Sequence, residues 1–126
     1  MAKKKVLVID DDQAIIDSTT AILESNYEVE TAMNGKAGLE KVDSFKPDVI
    51  ILDLLMPGVD GFDVCRTLKE DEKYKGIPII ALSSFTELYG MRFGNDETKS
   101  QLPSEVYLSK PLDPQTLIRE IEEQTS

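Results

Sequence analysis

With 126 residues, of which 40% are hydrophobic and 30% charged, the chain has the size and balance of one globular domain with a buried core, not of a disordered tail or a bilayer-spanning protein. Its 24 acidic side chains against 14 basic ones give a formal net charge of −10, so its surface repels nucleic-acid backbones and anionic lipid headgroups. There is no histidine and a single cysteine, which excludes Ser-His-Asp and Cys-His catalysis, imidazole metal sites and an internal disulfide.

Along the chain, Lys3-Lys4-Lys5 is the one basic cluster; directly before an apolar run, it reads as a solvated strand entrance. No apolar stretch near Met1 could serve as a signal peptide, which with the lone cysteine predicts a cytoplasmic protein. Val6-Leu7-Val8-Ile9 predicts a first strand. Asp12 can cap a following helix whose Ile15, Thr19, Ile22 and Leu23 share a face. Glu28-Val29-Glu30-Thr31-Ala32 alternates polar and apolar, which suits an edge strand. Gly35 marks the turn before a second helix with Leu39 and Val42 on one face, and Val49-Ile50-Ile51-Leu52 is the third strand. Gly61 precedes a third helix in which Phe62, Cys65 and Leu68 align, so Cys65 is a small core residue and not a nucleophile. Ile77 to Leu82, around Pro78, and Val106-Tyr107-Leu108 are the fourth and fifth strands. Together with the first and third runs they read as strands buried on both faces. Asp113-Pro114 is a cap followed by proline at the first helical position, opening a last helix with Leu117, Ile118 and Ile121 on its inner face.

Strands alternating with helices in this way pair in parallel through right-handed crossovers, which predicts a doubly wound α/β fold. In such sheets ligands bind outside the carboxyl ends of the strands, near the point where strand order reverses. Those ends carry Asp10-Asp11-Asp12, Asp53, Ser83-Ser84 and Ser109-Lys110. Taken singly, each has a plainer role: Asp12 caps a helix, Asp10 is a loop carboxylate, Ser83 ends a strand, and Lys110 is a surface lysine before Pro111. Taken together, a complementary set at four separate strand ends argues for a site. Carboxylates brought that close repel one another unless a cation neutralises them. All-oxygen ligands favour magnesium over zinc.

The segments Val-Leu-Val-Ile-Asp10-Asp11-Asp12, Pro47-Asp48-Val-Ile-Ile-Leu-Asp53, Met56-Pro57-Gly58-Val59-Asp60-Gly61, Pro78-Ile-Ile-Ala-Leu-Ser83 and Tyr107-Leu-Ser-Lys110-Pro111 resemble the response-regulator receiver family along nearly the whole chain. The resemblance implies a flavodoxin-like (βα)5 fold with a five-stranded parallel sheet of order 2-1-3-4-5. It implies one receiver domain over residues 1–126 with no output domain, and a protein that assists only its own phosphorylation and dephosphorylation. Asp53 is then the phosphoacceptor, served by a sensor histidine kinase or a histidine phosphotransfer protein. Asp11 binds magnesium directly and Asp10 helps through water, with Asp53 and the backbone carbonyl of Leu55 completing the protein ligands; manganese can substitute. Lys110 and Ser83 contact the phosphoryl group, Tyr107 is the switch aromatic, and Leu55 and Phe85 flank the acyl phosphate. Because both flanking residues are apolar and bulky, a long-lived phosphoryl state is expected. The resemblance further implies a monomer or a weak phosphorylation-dependent dimer with an unspecified downstream protein partner, while the net charge of −10 argues against direct contact with nucleic acid or membrane.

From Ser84 to Glu105 the chain departs from the family: Gly90 and Gly94 weaken a helix, and 95–101 lack apolar periodicity. An irregular or displaced helix is expected after the fourth strand. Phe85, Leu88, Tyr89, Met91 and Phe93 are either packing for that segment or a partner-binding patch. Three other functions stay open: a degenerate receiver that signals by binding alone, an aspartate-nucleophile phosphatase and a flavodoxin-like cofactor binder. The second is disfavoured because Leu55 stands where such enzymes carry a second aspartate. The third is disfavoured because Asp10-Asp11-Asp12 would repel a cofactor phosphate.

Overall fold

The computed structural model describes residues 3–54, 61–83, 106–109 and 113–126. Five strands, β1 (Lys4–Ile9), β2 (Tyr27–Ala32), β3 (Val49–Asp53), β4 (Ile79–Ser83) and β5 (Val106–Ser109), form one parallel sheet in the order β2-β1-β3-β4-β5. Four helices are described: α1 (Gln13–Leu23), α2 (Gly35–Phe45), α3 (Gly61–Glu70) and α4 (Pro114–Thr125). The doubly wound fold and the strand order expected from sequence are therefore present. The expected irregular helix after β4 lies outside the described residues.

Successive side chains of a strand point to opposite faces, and the sheet sorts its apolar residues accordingly. Val6, Val8, Val49, Ile51, Ile80 and Leu82 pack with Ile16 and Leu23 of α1 and with Leu117 and Ile121 of α4. Leu7, Ile9, Ile50, Leu52 and Ile79 pack on the other face with Val42 of α2 and with Val64, Cys65 and Leu68 of α3. All five residues of β3 are buried, as a strand covered by helices on both faces requires. Cys65 is fully buried, in keeping with its reading as a core residue. One expectation needs correcting. The fifth strand was expected to be buried on both faces, but Leu108 is only half-buried, and among the described residues β5 is an outer strand of the sheet.

Local signals account for the helix ends. Asp12 accepts from the Ala14 backbone N–H at 2.9 Å and caps α1, and Asn34 accepts from Ala37 N–H at 2.8 Å and caps α2. Asp113 caps α4, accepting from both the backbone N–H (3.0 Å) and the hydroxyl (2.7 Å) of Thr116. The Thr116 hydroxyl bond, then the backbone bond, hold the Asp113 carboxyl below its ordinary range. A depressed folded-state value stabilises the fold above the unfolded carboxylate range, and that contribution is lost as pH falls through the folded-state value. Asp113→Ala should therefore melt earlier than the parent at neutral pH, with the difference closing in acid; a difference independent of pH would remove the charge from the explanation.

Thr19 is fully buried on α1, and its hydroxyl has no hydrogen-bond partner among the described residues. A buried unsatisfied hydroxyl is unfavourable, and valine has the same shape. Thr19→Val is expected to stabilise the fold by about 1 kcal/mol in chemical denaturation, while a loss would reveal a bond this hydroxyl makes.

Candidate metal centre at the carboxyl ends of the strands

In this sheet β1 lies between β2 and β3, so chain connections leave its two sides in opposite directions. The crevice at that reversal is where an open α/β sheet holds its ligand. Ile9, the last residue of β1, is in register with Leu52 of β3. Asp10 therefore follows β1 at the level where Asp53 ends β3. Asp53 is itself in register with Leu82, and the ladder continues through the Leu54 N–H to the Leu82 carbonyl at 3.0 Å.

Asp10, Asp11 and Asp53 each bring one carboxylate oxygen to within 4.8 Å of the others. Asp10 is fully buried and Asp53 is 3% exposed, whereas Asp11 faces solvent. The backbone positions Asp10 on both sides. Its N–H donates to the Ala32 carbonyl of β2 at 3.0 Å, and its Oδ1 accepts from the Asp12 N–H at 3.0 Å. Asp12 turns away, because its own carboxylate is spent on the α1 cap.

Three like charges at this spacing repel by about 3 kcal/mol per pair at an effective dielectric near 20. Solvent screens the pairs that include Asp11, but not the buried pair of Asp10 and Asp53. The donor set is all oxygen, short-reaching and partly open to water. That fits a hard divalent cation that keeps some of its own waters, and it does not fit zinc.

Of the residues expected at the site, the structure brings Asp10, Asp11 and Asp53 together. Ser83 is the last residue of β4, in register with Ser109 of β5, and Tyr107 lies within β5 in register with Ala81. Leu55, Phe85 and Lys110 lie outside the described residues, as does the cluster Phe85, Leu88, Tyr89, Met91 and Phe93. The role of the Asp12 N–H in orienting Asp10 escaped the sequence reading. An Asx turn just ahead of a capped helix is the signal that could have suggested it.

Comparison with known proteins agrees with this fold. A sequence model of the family described as the response regulator receiver domain matches residues 6–122. The chain is 35% identical over 118 residues to the DNA-binding dual master transcriptional regulator RpaA of Synechocystis sp., covering 93% of this chain and 47% of RpaA. It thus spans about half the length of that relative. Among solved structures, chemotaxis protein CheY4 of Vibrio cholerae superposes with a TM-score of 0.82 at 31% identity, over 97% of this chain and 98% of that one. The receiver domain of sensor histidine kinase PA1611 from Pseudomonas aeruginosa, solved with a magnesium ion coordinated in its active-site cleft, gives 0.84 at 25% identity over 98% of both chains. No helix of the described residues is long and apolar enough to cross a membrane.

Proposed function

This chain belongs to the response-regulator receiver family, and on that premise we propose that Asp53 accepts a phosphoryl group with magnesium held by Asp10, Asp11 and Asp53. The observation that carries the proposal is the convergence of those three carboxylates, two of them buried, at the switch point of the sheet. The magnesium in the PA1611 receiver supports the same reading. The phosphoryl donor is a phosphohistidine on a sensor kinase or phosphotransfer protein. A carboxylate oxygen of Asp53 forms the new bond to phosphorus as the bond to the imidazole nitrogen breaks, and the leaving imidazole takes up a proton.

Transfer of this kind needs alignment and charge stabilisation more than covalent help from the protein. When bound, magnesium supplies positive charge beside the transferred group. The buried side of the cluster keeps Asp53 from wandering, while exposed Asp11 leaves a path for the donor. Lys110 would pair with a phosphoryl oxygen, Ser83 would donate its hydroxyl to another, and Tyr107 would follow Ser83 as the two loops rearrange. The added charge of roughly −1.5 to −2 is the signal those loops read. Leu55 would contribute its carbonyl to the ion and, with Phe85, would hinder an in-line water, so the phosphoryl group should persist. Contact with DNA, which RpaA makes, would not come from this domain, whose net charge is −10.

Incubation with acetyl phosphate and magnesium, followed by intact mass, tests the reading. One added phosphoryl group that requires magnesium and decays slowly after removal of the donor is the expected result. No uptake from either acetyl phosphate or a phosphorylated kinase would leave a domain that signals by binding alone. Uptake followed by rapid decay would overturn only the shielding assigned to Leu55 and Phe85.

A further inference from the structure

At the other end of the sheet from the carboxylates, the C-terminus of α2 and the turn between α3 and β4 border a cavity of about 510 Å³. Val42, Pro47 and Ile77 give it an apolar wall, and Asp43, Lys46, Lys73 and Tyr74 complete its lining. None of these residues belongs to the site proposed for phosphoryl transfer.

The polar groups are arranged unequally. The Tyr74 hydroxyl donates to Asp43 Oδ1 at 2.5 Å. That bond, more than any other cause, pushes the phenol up to about 12, so it stays protonated and keeps its hold on the carboxylate. Neither Lys46 nor Lys73 has an ion-pair partner among the described residues, although Lys75 in the same turn is paired with Glu72 at 2.8 Å. Two ammonium groups therefore line the cavity against a single carboxylate, Asp43, one of whose oxygens is held by the Tyr74 hydroxyl.

The backbone adds an independent sign. Lys46 is the C-cap of α2 at φ 54, ψ 64, the one non-glycine residue with positive φ among those described. Glycine or asparagine ordinarily takes this left-handed position, because a longer L side chain is strained there. Glycine would relieve the strain and keep the cap bond from the residue 46 N–H to the Val42 carbonyl, but it would remove an ammonium group from the cavity. Strain retained at such a point is a sign that the side chain is used.

We propose that this cavity binds a small organic anion, its apolar body against Val42, Pro47 and Ile77 and its anionic group paired with Lys46 and Lys73. On a chain of net charge −10, anions are repelled almost everywhere else, so the local excess of cations sets the selectivity.

Benzoate titrated into isotope-labelled full chain, read by amide NMR shifts, tests the site. Benzyl alcohol serves as the apolar body without charge and acetate as the charge without the body. Benzoate should move the amides of Val42, Lys46, Lys73, Tyr74 and Ile77 along one saturating curve, roughly tenfold tighter than either control. Lys46→Gln and Lys73→Gln should each weaken it by about fivefold or more, with Lys46→Arg restoring it and phosphoryl uptake unchanged in all three. Shifts that never saturate, equal responses to a control, or glutamine variants that bind benzoate like the parent would each overturn the proposal.

Discussion

Asp53→Asn is expected to lose phosphoryl uptake by at least about a thousandfold without losing stability in the presence of chelator. The amide keeps the shape of the side chain at the end of β3 but offers phosphorus no negatively charged oxygen. Its effect on stability runs against the usual rule that changing a buried residue is costly. Asp53 is 3% exposed and its carboxylate shares a 4.8 Å cluster with those of Asp10 and Asp11. Removing its charge relieves the repulsion that solvent screens least. A gain of about 1 kcal/mol is expected, below the full pairwise repulsion because the interactions Asp53 makes in place are lost with it. Magnesium should reverse the ranking. At ten times its dissociation constant it should stabilise the parent by about 1.4 kcal/mol, and the variant, with a ligand missing, by less. Denaturant unfolding with magnesium and with chelator, alongside intact mass, reads all three effects. Undiminished uptake in the variant would move the acceptor elsewhere. A clear loss of stability in chelator would mean that the bonds made by the Asp53 carboxylate outweigh the repulsion it suffers.

Gly38→Ala should destabilise the protein although alanine is the better helix former. A methyl group at position 38 of α2 would lie 2.5 Å from Ile9 Cδ1, 2.9 Å from Cγ1 and 3.1 Å from Cγ2. Ile9 is fully buried on β1, so it has no solvent side to retreat toward. Helix propensity favours the change by about 1 kcal/mol, whereas overpacking a core costs about 1–3 kcal/mol. A net loss of up to about 2 kcal/mol is expected from these opposing terms. Ile9→Val removes the nearest atom. In the parent it should cost about 0.5–1.5 kcal/mol, but in the Gly38→Ala background little or nothing. A coupling of about 1 kcal/mol in that cycle places the effect at this contact, while strictly additive losses would assign it elsewhere. Ile9 also precedes Asp10, so the alanine variant should bind magnesium more weakly than the parent.

The strands and caps were legible because their causes are local. Runs such as Val49 to Leu52 cannot be left in water, and Asp12 and Asp113 satisfy helix N–H groups a few residues away, whereas the Asn34 cap of α2 was found only in the structure. The alternation of Glu28 to Ala32 marked an outer strand, although both faces of β2 are packed: Tyr27 and Val29 lie on the side of α1 and Ala32 on the side of α2. For β5 the outer place followed from the expected strand order, whereas the apolar run suggested a burial that half-buried Leu108 does not reach. Its run is apolar enough to suit either place, and whether another strand lies beyond it is a property of the sheet, not of those residues.

For the site, residue types at the strand ends were enough to nominate Asp10, Asp11 and Asp53, since parallel strands in one sheet deliver their carboxyl ends to one edge. Sequence marked Asp12 as a helix cap, and the family resemblance gave Asp11 direct and Asp10 water-mediated contact with the ion, but neither said which carboxylate is buried. The tertiary structure separated them by burying Asp10 under the Ala32 carbonyl, leaving Asp11 in solvent and spending Asp12 on a helix. The cavity of Lys46, Lys73 and Tyr74 had no counterpart in the sequence reading, because its walls come from segments about 30 residues apart that touch only once the sheet is wound. Fold class, caps and the chemical identity of the site were thus set by short-range pattern. The burial of each carboxylate, the close approach of Gly38 to Ile9 and the pairing of Tyr74 with Asp43 were decided by packing, which brings together residues distant along the chain.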